Sequence, residues 1–461
     1  MKVVIGSNIQ ITAPSRELMK YCNDRLILIN PEYVKKMRMG FWVGKTPQTI
    51  ALFEKRGDTL VMPFGTLRAI WPMIKSASPE TAFADPQSVS FGGVPVPLYD
   101  YQEAALEALY RAKYGILQSA AGSGKTQMGI ALVKRYERPA LWITHTADLL
   151  NQSKERAELY VNPALIGTIT EGKVNIGKGI TFATVQTLSK LDLQQYRDLW
   201  DVVIVDECHH VSGSPTTVTQ FYKVLGNLAA RHKYGLSATV HRADGLIAAT
   251  HAMLGEVVWT VPDEAVADKI MKVGIRPTAT GIGPSDEMLN PDGTLNFTNL
   301  ISSLSGNEMR NAFISSWIVH ESDHSCLILS DRIDHLQNLM DRLPATMRSK
   351  AALITGRMTT KKGKEERNAA IEKMRQGKLQ YLFATYSLAK EGLDIPRLER
   401  LFLTTPVKDE AVVIQSIGRI ARTFPGKADP IAYDFVDNIP FCKRAYKERT
   451  RHYKKINAYQ A

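Results

Sequence analysis

Two series of short apolar runs, separated for the most part by amphipathic helical segments, account for most of this 461-residue chain. Such alternation predicts parallel sheets covered by helices, because parallel strands must be joined by long crossover connections. The pattern stops near Pro262 and resumes at Cys326, so we expect an α/β fold with two tandem lobes. The expected strands are Gly115–Gln118, Ala140–Thr144, Ile180–Thr184, Val202–Asp206 and Tyr234–Ser237, then Cys326–Ser330, Ala351–Thr355, Gln380–Ala384, Arg400–Thr404 and Ile431–Asp434.

The remaining segments suggest how the rest of the chain is organised. For residues 1–90 we expect a small mixed α/β domain followed by a linker. The short strand-like runs of this domain are Phe41–Val43, Thr49–Phe53 and Thr59–Met62. The Pro- and Gly-rich linker predicts that residues 1–85 can be removed without unfolding the remainder. We expect lobes at 91–261 and 311–440, a connector at 262–310 and a basic tail at 441–461.

The excess positive charge of the chain lies at its two ends. The net charge is +12, of which residues 1–90 carry +5 and residues 441–461 carry +6. Basic ends that flank a nearly neutral centre indicate a polyanionic partner held through its phosphates. The alternative is that basic tails only aid solubility.

Composition excludes several other classes. No stretch approaches the roughly 18 consecutive apolar residues of a membrane span, and the first residues lack the pattern of a signal peptide. The four cysteines, Cys22, Cys208, Cys326 and Cys442, form no CxxC pair. We therefore expect a cytoplasmic protein with no zinc site and no disulfide framework. We also expect a monomer.

A phosphate-binding loop follows the first strand of the first lobe. It comprises Ser119, Gly122, Ser123, Gly124, Lys125 and Thr126 and lies between a strand and a helix, as such a loop requires. The glycines allow backbone N–H groups to surround phosphates, Lys125 supplies a charge, and the Thr126 hydroxyl can ligate Mg²⁺. Ser119 stands where the motif has glycine, so a chance Gly-Ser-Gly turn is the alternative.

Two adjacent carboxylates end the apolar run Val202–Asp206. Asp206 is expected to hold hydrated Mg²⁺, and Glu207 to orient the attacking water. A surface turn could also carry two acidic residues. The carboxylate pair follows a phosphate loop earlier in the chain, which makes a plain surface turn the weaker alternative.

The sequence Asp206-Glu207-Cys208-His209, with the phosphate loop, resembles the DExH branch of the superfamily 2 helicases. The resemblance implies two RecA-like lobes, ATP hydrolysis with Mg²⁺ and movement along a nucleic acid. It also implies that Gln102 reads adenine, with Tyr99 stacking on the base. Ser237-Ala-Thr239 resembles the coupling motif, and Arg242 belongs to the following xRxDG run, although Val240 replaces its proline.

The second lobe carries Gln415-Ser-Ile-Gly-Arg419-Ile-Ala-Arg422, which matches the family's arginine-finger motif. The spacing predicts that the three named side chains share one helix face, from which two arginines reach a γ-phosphate in the transition state. An ordinary solvated helix face is the alternative. The segment from Glu391 resembles motif V, which implies that Gly392 lies near phosphate and Asp394 near ribose.

Further strand ends resemble the family's track-binding motifs. They offer hydroxyl and backbone N–H groups suited to phosphate oxygens, and each could instead be a helix cap. The residues are Thr144, His145, Thr184, Gln186, Asp331, Arg332, Thr355, Thr385 and Ser387.

Within the family, the XPB-like and phage UvsW-type DNA helicases, including the bacteriophage T5-type relative, are the most similar. This resemblance implies a DNA helicase acting on forks and four-way junctions in recombination, replication or repair, with proteins of those processes as partners. If the chain is phage-encoded, its location is the host-cell cytoplasm. An RNA helicase of the same architecture and a non-unwinding duplex translocase or motor subunit remain as alternatives.

Basic and aromatic residues alternate along residues 33–75. Basic side chains can position phosphates while aromatic rings stack on unpaired bases. The alternative is that the aromatic residues form the core of the small domain. The aromatic residues are Tyr33, Phe41, Trp42, Phe53, Phe64 and Trp71.

Overall fold

The computed structural model describes the whole chain except residues 121, 216, 240–245, 267–269, 359, 391–392 and 457. It contains two compact units, the first built from residues 1–120 and 124–262 and the second chiefly from residues 263–461. In the described part of the chain, no helix has the length and apolar character needed to cross a membrane. The four cysteines are buried free thiols.

The N-terminal domain consists of a five-stranded sheet, a separate strand pair and three helices. The larger sheet has the order β5-β6-β2-β1-β7, and β3 pairs with β4. Its apolar side chains alternate along β1 and β2, so one face of the sheet is buried. The elements are β1 (Lys2–Ile5), β2 (Asn8–Thr12), α1 (Arg16–Arg25), β3 (Ile27–Ile29), α2 (Pro31–Arg38), β4 (Thr49–Ala51), β5 (Glu54–Arg56), β6 (Thr59–Pro63), α3 (Leu67–Ile74) and β7 (Glu80–Thr81).

The first lobe is an eight-stranded sheet in the order β11-β10-β12-β9-β13-β14-β8-β15. All neighbouring strands are parallel except β11, which pairs antiparallel with β10. Its elements are α4 (Asp100–Ala112), β8 (Gly115–Gln118), α5 (Lys125–Tyr136), β9 (Ala140–Thr144), α6 (Ala147–Glu158), β10 (Ile166–Thr170), β11 (Lys173–Asn175), β12 (Ile180–Thr184), α7 (Val185–Leu188), β13 (Val202–Asp206), α8 (Gln220–Asn227), β14 (His232–Ser237), α9 (Ile247–Leu254) and β15 (Val257–Thr260).

The N-terminal domain and the first lobe share a hydrophobic core. Tyr114, Ala249 and Ala252 of the lobe pack into the same cluster as the domain's strands. At Gly65 an added Cβ would lie 2.3 Å from the Gly255 nitrogen, so the two backbones are in direct contact. Removal of residues 1–85 would expose this shared apolar surface to solvent, so the linker does not separate two independent cores.

The second lobe is a seven-stranded, fully parallel sheet in the order β18-β19-β17-β20-β21-β16-β22. Its elements are α10 (Asp263–Val266), β16 (Gly274–Ala279), α11 (Phe297–Gly306), α12 (Glu308–His320), β17 (Cys326–Ser330), α13 (Ile333–Asp341), α14 (Ala345–Arg348), β18 (Ala351–Ile354), α15 (Lys361–Arg375), β19 (Tyr381–Thr385), α16 (Tyr386–Lys390), β20 (Arg400–Leu403), α17 (Glu410–Ile420), β21 (Ile431–Val436), α18 (Pro440–Lys455) and β22 (Tyr459–Gln460).

The expected α/β class with parallel-sheet lobes is confirmed, and the ten expected lobe strands are all present. Two segments differ from the expected organisation. Residues 274–279, placed in the connector, form β16 and pair with β21 inside the second sheet. The expected basic tail is helix α18 followed by an edge strand, and its Arg449 is buried against Asp434.

Phe41–Val43 is not a strand, contrary to the sequence prediction. The chain there follows the end of α2 and is flanked by Gly40 and Gly44, both at positive φ. Glycines in the left-handed region turn the backbone and prevent it from extending alongside a partner strand.

Candidate nucleotide and nucleic-acid site

The phosphate loop joins β8 to α5, the position that the sequence predicted. Gly122 and Gly124 both have φ +85, a conformation that favours glycine. Ser119 and Ser123 are buried, and Thr126 is the half-buried second residue of α5. Lys125 Nζ donates to the carbonyl oxygens of Ser119 and Ala120 at 3.2 and 3.4 Å, which keeps its charge at the loop.

Gln102 packs against this loop from α4. An added Cβ on Gly124 would lie 2.4 Å from Gln102 Nε2, so residue 124 has no room for a side chain. Gln102 Oε1 accepts a hydrogen bond from the Tyr99 N–H at 3.0 Å. The half-exposed Tyr99 ring stacks on Tyr101. The segment expected to read adenine therefore lies beside the phosphate loop.

The two adjacent carboxylates occupy the carboxyl end of β13. Asp206 is buried, its Oδ2 accepts from Ser153 Oγ at 3.3 Å, and its Oδ1 accepts from the Glu207 N–H at 3.0 Å. Burial and the Glu207 carboxylate raise the pKa of Asp206, while the nearby Lys125 charge opposes that rise. A nearby cation would stabilise the ionised form of this carboxylate.

Glu207 has a strained backbone. Its φ of +47° lies in the left-handed region, which costs a non-glycine residue roughly 1–3 kcal/mol. Strain of this kind persists only where surrounding contacts impose it.

His209 connects the carboxylate strand to the Ser-Ala-Thr segment. Its Nδ1 lies 3.3 Å from Glu207 Oε2 and 3.0 Å from Ser237 Oγ. Ser237 Oγ also donates to the Thr239 carbonyl at 2.6 Å, and the Ser237 carbonyl accepts from the Ser119 N–H. Ser237 is therefore hydrogen-bonded to both the phosphate loop and His209, and His209 lies within ion-pair distance of Glu207.

The expected track residues of the first lobe lie on paired strands. Thr144 of β9 and Thr184 of β12 are Cα partners in the parallel register. Their hydroxyls donate locally, to the Thr146 carbonyl and to Thr187 Oγ1. Neither bond is a helix cap, since Thr184 makes no side-chain cap hydrogen bond and the N-cap of α6 is Thr146. Gln186 is exposed, and its Nε2 donates to the His145 carbonyl at 2.7 Å. Of this set, His145 and Gln186 are more accessible to a nucleic acid than the two buried threonines.

A row of histidine rings was not foreseen. The rings of His145 and His210 are 3.9 Å apart, and those of His210 and His209 are 4.2 Å apart. The row runs from an expected track residue to the Glu207 network. His210 directly follows the DECH residues in the sequence, but nothing in its spacing indicated contact with His145.

The second lobe gathers its expected track residues at adjacent strand ends. Ser330 of β17 pairs with Thr385 of β19, and Thr355 follows the neighbouring β18. Thr385 Oγ1 lies 3.1 Å from Ser387 Oγ. The Asp331 N–H is bonded to Thr405 Oγ1, and the Arg332 N–H to Ser330 Oγ. Ser387 and Asp331 are exposed, whereas Thr355 is buried.

The arginine motif is only partly helical. Gln415 and Arg419 lie on α17, but that helix ends at Ile420, so the expected common helix face does not extend to Arg422. Arg422 instead forms a β-bridge with Ile270. Pro425 would stop a helix only at Phe424, so the earlier end of α17 has no such local cause.

Both arginines nevertheless contact the motif V segment of the same unit. Arg419 Nε donates to the Ala389 carbonyl at 2.9 Å, and its Nη1 donates to the Leu393 carbonyl at 3.0 Å. Arg422 forms an ion pair with Asp394, the residue expected near ribose. Gln415 is buried. Two expected site residues, Arg242 and Gly392, lie outside the described residues.

Two side chains of the first lobe have oxygens of the kind that hold Mg²⁺ beside a nucleotide. Among the described residues, no three His, Cys, Asp or Glu side chains are grouped so as to hold a metal ion. Mg²⁺ in nucleotide sites typically takes one or two protein oxygens and completes its shell with water and phosphate. The Thr126 hydroxyl and the Asp206 carboxylate offer such a pair.

Comparison with known proteins gives two family matches. The model of the type III restriction enzyme res subunit matches residues 95–242, and that of the helicase conserved C-terminal domain matches residues 309–424. Together they span both lobes and the motifs described above.

The similar curated proteins are named as helicases or translocases. DNA 3'-5' translocase XPB2 of Sulfurisphaera tokodaii is 26% identical, over 65% of this chain and 73% of its own length. Probable helicase D10 of Escherichia phage T5 is 25% identical, over 70% of this chain and 67% of its own. Putative ATP-dependent RNA helicase L396 of Acanthamoeba polyphaga mimivirus is 26% identical, over 74% and 64%.

Among solved structures, the type ISP restriction-modification enzyme LlaBIII matches with a TM-score of 0.54 and 14% identity, over 79% of this chain and 31% of the enzyme. Phage T4 UvsW matches over 100% of this chain and 99% of its own, with a TM-score of 0.42 and 18% identity. The domain matches and the helicase relatives together support an ATP-hydrolysing superfamily 2 helicase, similar to XPB2 and to helicase D10 of phage T5.

Proposed function

We propose that this protein is an Mg²⁺- and ATP-dependent DNA translocase that remodels branched DNA, namely forks and four-way junctions. The observation that carries the nucleic-acid part is the basic face of α18. This helix buries Cys442, Ala445, Arg449 and Tyr453 at helical spacing. Its opposite face exposes Lys443, Arg444, Lys447, Arg451, Lys454 and Lys455.

That face argues against the solubility alternative. A tail that only aids solubility needs no fixed conformation, whereas α18 is anchored by Arg449, which donates to both Asp434 carboxylate oxygens at 2.9 and 2.6 Å. Tyr453 OH donates to the same carboxylate at 2.6 Å. A rigid row of ammonium and guanidinium groups suits the evenly spaced phosphates of a nucleic-acid strand.

For the nucleotide, Lys125 and the N–H groups at the start of α5 bind phosphate, and Thr126 with Asp206 would hold Mg²⁺, which neutralises charge on the phosphates. Glu207 orients the attacking water, and His209 positions Glu207 against Ser237. Arg419 and Arg422 stabilise the charge that develops in the transition state. Tyr99 and Gln102 receive the base, and Asp394 lies near the ribose.

DNA is preferred over RNA because relatives such as XPB2 are named as acting on DNA. The second candidate is an RNA helicase, which the name of relative L396 favours. A translocase that moves on duplex without unwinding it is the third. We propose movement in the 3'-to-5' direction, the direction in the name of XPB2.

One comparison tests the proposal. The ATPase rate of the full chain is measured with single-stranded DNA, blunt duplex, a fork, a four-way junction and RNA of matched sequence. We expect the fork and the junction to stimulate most and RNA least. Equal stimulation by duplex and junction, without strand displacement, would favour the non-unwinding translocase. Greatest stimulation by RNA would overturn the DNA assignment.

A further inference from the structure

The N-terminal domain has an exposed apolar feature at the end of α2. We name residues 37–45 the α2 tip. Four of its apolar side chains point largely into solvent: Trp42 is 88% exposed, Phe41 63%, Met37 57% and Met39 55%. Contiguous exposed apolar residues of this size mark interaction sites rather than ordinary surface.

The aromatic residues of the domain thus divide into two groups. Phe64 is buried and Phe53 packs against the domain core, as the structural alternative expects. α2 itself buries no residue completely. Phe41 and Trp42 therefore contribute little to the stability of the domain.

The α2 tip is exposed although its backbone is held in place. The Phe41 N–H donates to the Lys36 carbonyl at 2.9 Å and the Gly40 N–H to the Met37 carbonyl at 3.2 Å, the two bonds of a Schellman motif. The loop that follows is tied back, since Lys36 Nζ donates to Thr46 Oγ1 at 2.6 Å and Asn30 Nδ2 to the Pro47 carbonyl at 2.8 Å. The aromatic residues are therefore presented on an ordered loop.

The Trp42 ring packs against the backbone of Gly44. A Cβ on Gly44 would lie 2.9 Å from Trp42 Cζ3, so the ring lies directly on the glycine backbone. Gly44 also has φ +53, where other residues are strained. The ring rests on the backbone and remains open to solvent, which lowers the entropic cost of stacking on a ligand.

The charge around the tip identifies the class of ligand. Residues 33–53 contain four basic residues and no acidic one. Lys36 is paired with Glu32, whereas Lys35, Arg38 and Lys45 have no carboxylate partner in the described part of the chain. Planar aromatic rings with cations suit a ligand that has flat bases next to phosphates. Phe and Met are also residues that proteins insert between base steps.

We propose that the α2 tip stacks on unpaired bases at a DNA branch point, with Phe41 and Trp42 as the stacking residues. This inference rests on the proposed function and adds to it the element that recognises the branch. The flanking cations Lys35, Arg38 and Lys45 hold the adjacent phosphates, and their contribution does not depend on DNA structure.

The test uses the full-length protein and the double variant Phe41→Ala, Trp42→Ala. Affinity without nucleotide is measured for a four-way junction, a fork, single-stranded DNA and blunt duplex, each with 2-aminopurine at the branch or a matched position. Stacking of one base on an aromatic residue changes affinity by roughly 5-fold to 100-fold. We expect a loss of that size for junction and fork, unchanged affinity for blunt duplex, and loss of the 2-aminopurine quenching seen with wild type.

Three further variants sharpen the result. Trp71→Ala removes another exposed aromatic residue of the same domain and should leave branch affinity unchanged. Gly44→Ala keeps both aromatic rings but displaces Trp42, so it should reduce quenching. Lys35→Gln with Arg38→Gln should weaken binding to every DNA form and flatten its salt dependence. The double variant should unfold at the wild-type temperature, because it removes exposed side chains only.

The outcomes separate the two proposals. If wild type shows no stimulation by any nucleic acid, the proposed function fails. If wild type prefers branched DNA and the double variant keeps that preference, the tip proposal alone is overturned. The tip proposal is also overturned if the double variant binds DNA as wild type does but no longer self-associates, since the tip would then bind a second copy of the chain. Loss of binding to vesicles that contain anionic lipid, with DNA binding unchanged, would overturn it too, since the tip would then bind a membrane.

Discussion

The two lobes share a parallel-sheet architecture, but the carboxylate residues of the first lobe and Arg419 of the second lobe are held differently. In the first lobe the motif residues contact one another through side chains, from Ser153 to Asp206 and from Glu207 through His209 to Ser237. In the second lobe Arg419 is held by two main-chain carbonyls. A side-chain network can be weakened by substituting either partner, whereas a carbonyl acceptor remains whatever side chain its residue carries.

The largest effect is expected for Lys125→Ala. This change removes the charge held at the phosphate loop, and ATP turnover should fall below detection while nucleic-acid binding without nucleotide survives. A steady-state ATPase assay and a DNA-binding titration measure the two properties. Lys178→Ala, at an exposed position of the same lobe, is the control. ATP hydrolysis by Lys125→Ala at a near wild-type rate would show that the nucleotide site is misassigned.

Arg422→Ala should lower kcat on the order of 10³-fold, with a much smaller change in KM, because the guanidinium acts on charge that develops in the transition state. Arg422→Lys should not restore the rate, since a lysine cannot reproduce the planar donor set. A change confined to KM would indicate a ground-state contact and remove Arg422 from its assigned role. The measurement is full ATP-dependent kinetics at saturating DNA.

Glu207→Gln should slow hydrolysis by at least about 10²-fold, the usual contribution of a residue that positions or activates the nucleophile. ATP binding should be retained, because the phosphate-loop residues are unchanged. Binding of a fluorescent ATP analogue and single-turnover hydrolysis separate the two steps. Loss of binding with no defect in hydrolysis at saturation would contradict the role.

Ser237→Ala tests whether the side-chain network of the first lobe matters beyond its separate residues. It leaves His209 Nδ1 and the Thr239 N–H without their Ser237 partner, a cost of about 1–3 kcal/mol where such groups are buried. We expect stimulation by DNA to fall about 10-fold, while basal ATPase changes less. Equal loss of basal and stimulated rates would mean that Ser237 supports only local folding.

The smallest effect concerns two lysines held by carbonyls. Lys233 of the first lobe donates to the Ser7 and Leu225 carbonyls, and burial lowers its pKa to about 7. Lys427 of the second lobe donates to three carbonyls, and burial lowers its pKa to about 8. A neutral amine has two N–H donors, so Lys233 can remain fully bonded when uncharged.

The sign of the pH dependence follows from these values. Between about pH 7 and pH 10 the unfolded chain binds a proton at Lys233 that the folded lobe does not. The free energy of unfolding therefore rises with pH in that window, by up to about 1.4 kcal/mol per pH unit, and Lys233 adds no slope below it. Lys233→Met should remove this contribution from unfolding measured at pH 7 to 9. An unchanged slope would show that Lys233 stays charged.

Much of the site was readable because its motifs are local. The phosphate loop needs a strand, a glycine turn and a helix in immediate succession, and the sequence contains all three in order. The ten expected lobe strands were recognised because buried parallel strands are continuous apolar runs. β16 was missed because it carries Arg276 and Pro277 inside a segment interrupted by Gly and Pro.

The sequence by itself determined the α/β class, the order of the motifs and the residue types at each strand end, because these depend on neighbours within one strand, turn or helix. Only the tertiary structure decided which distant residues meet: His145 with His210, Arg422 with Asp394, and the N-terminal domain with the first lobe. It also separated the exposed Trp42 from the buried Phe64, which the alternation of basic and aromatic residues could not do. Whether each of these aromatic rings is buried depends on packing between segments far apart in the chain, which the local sequence around it does not show.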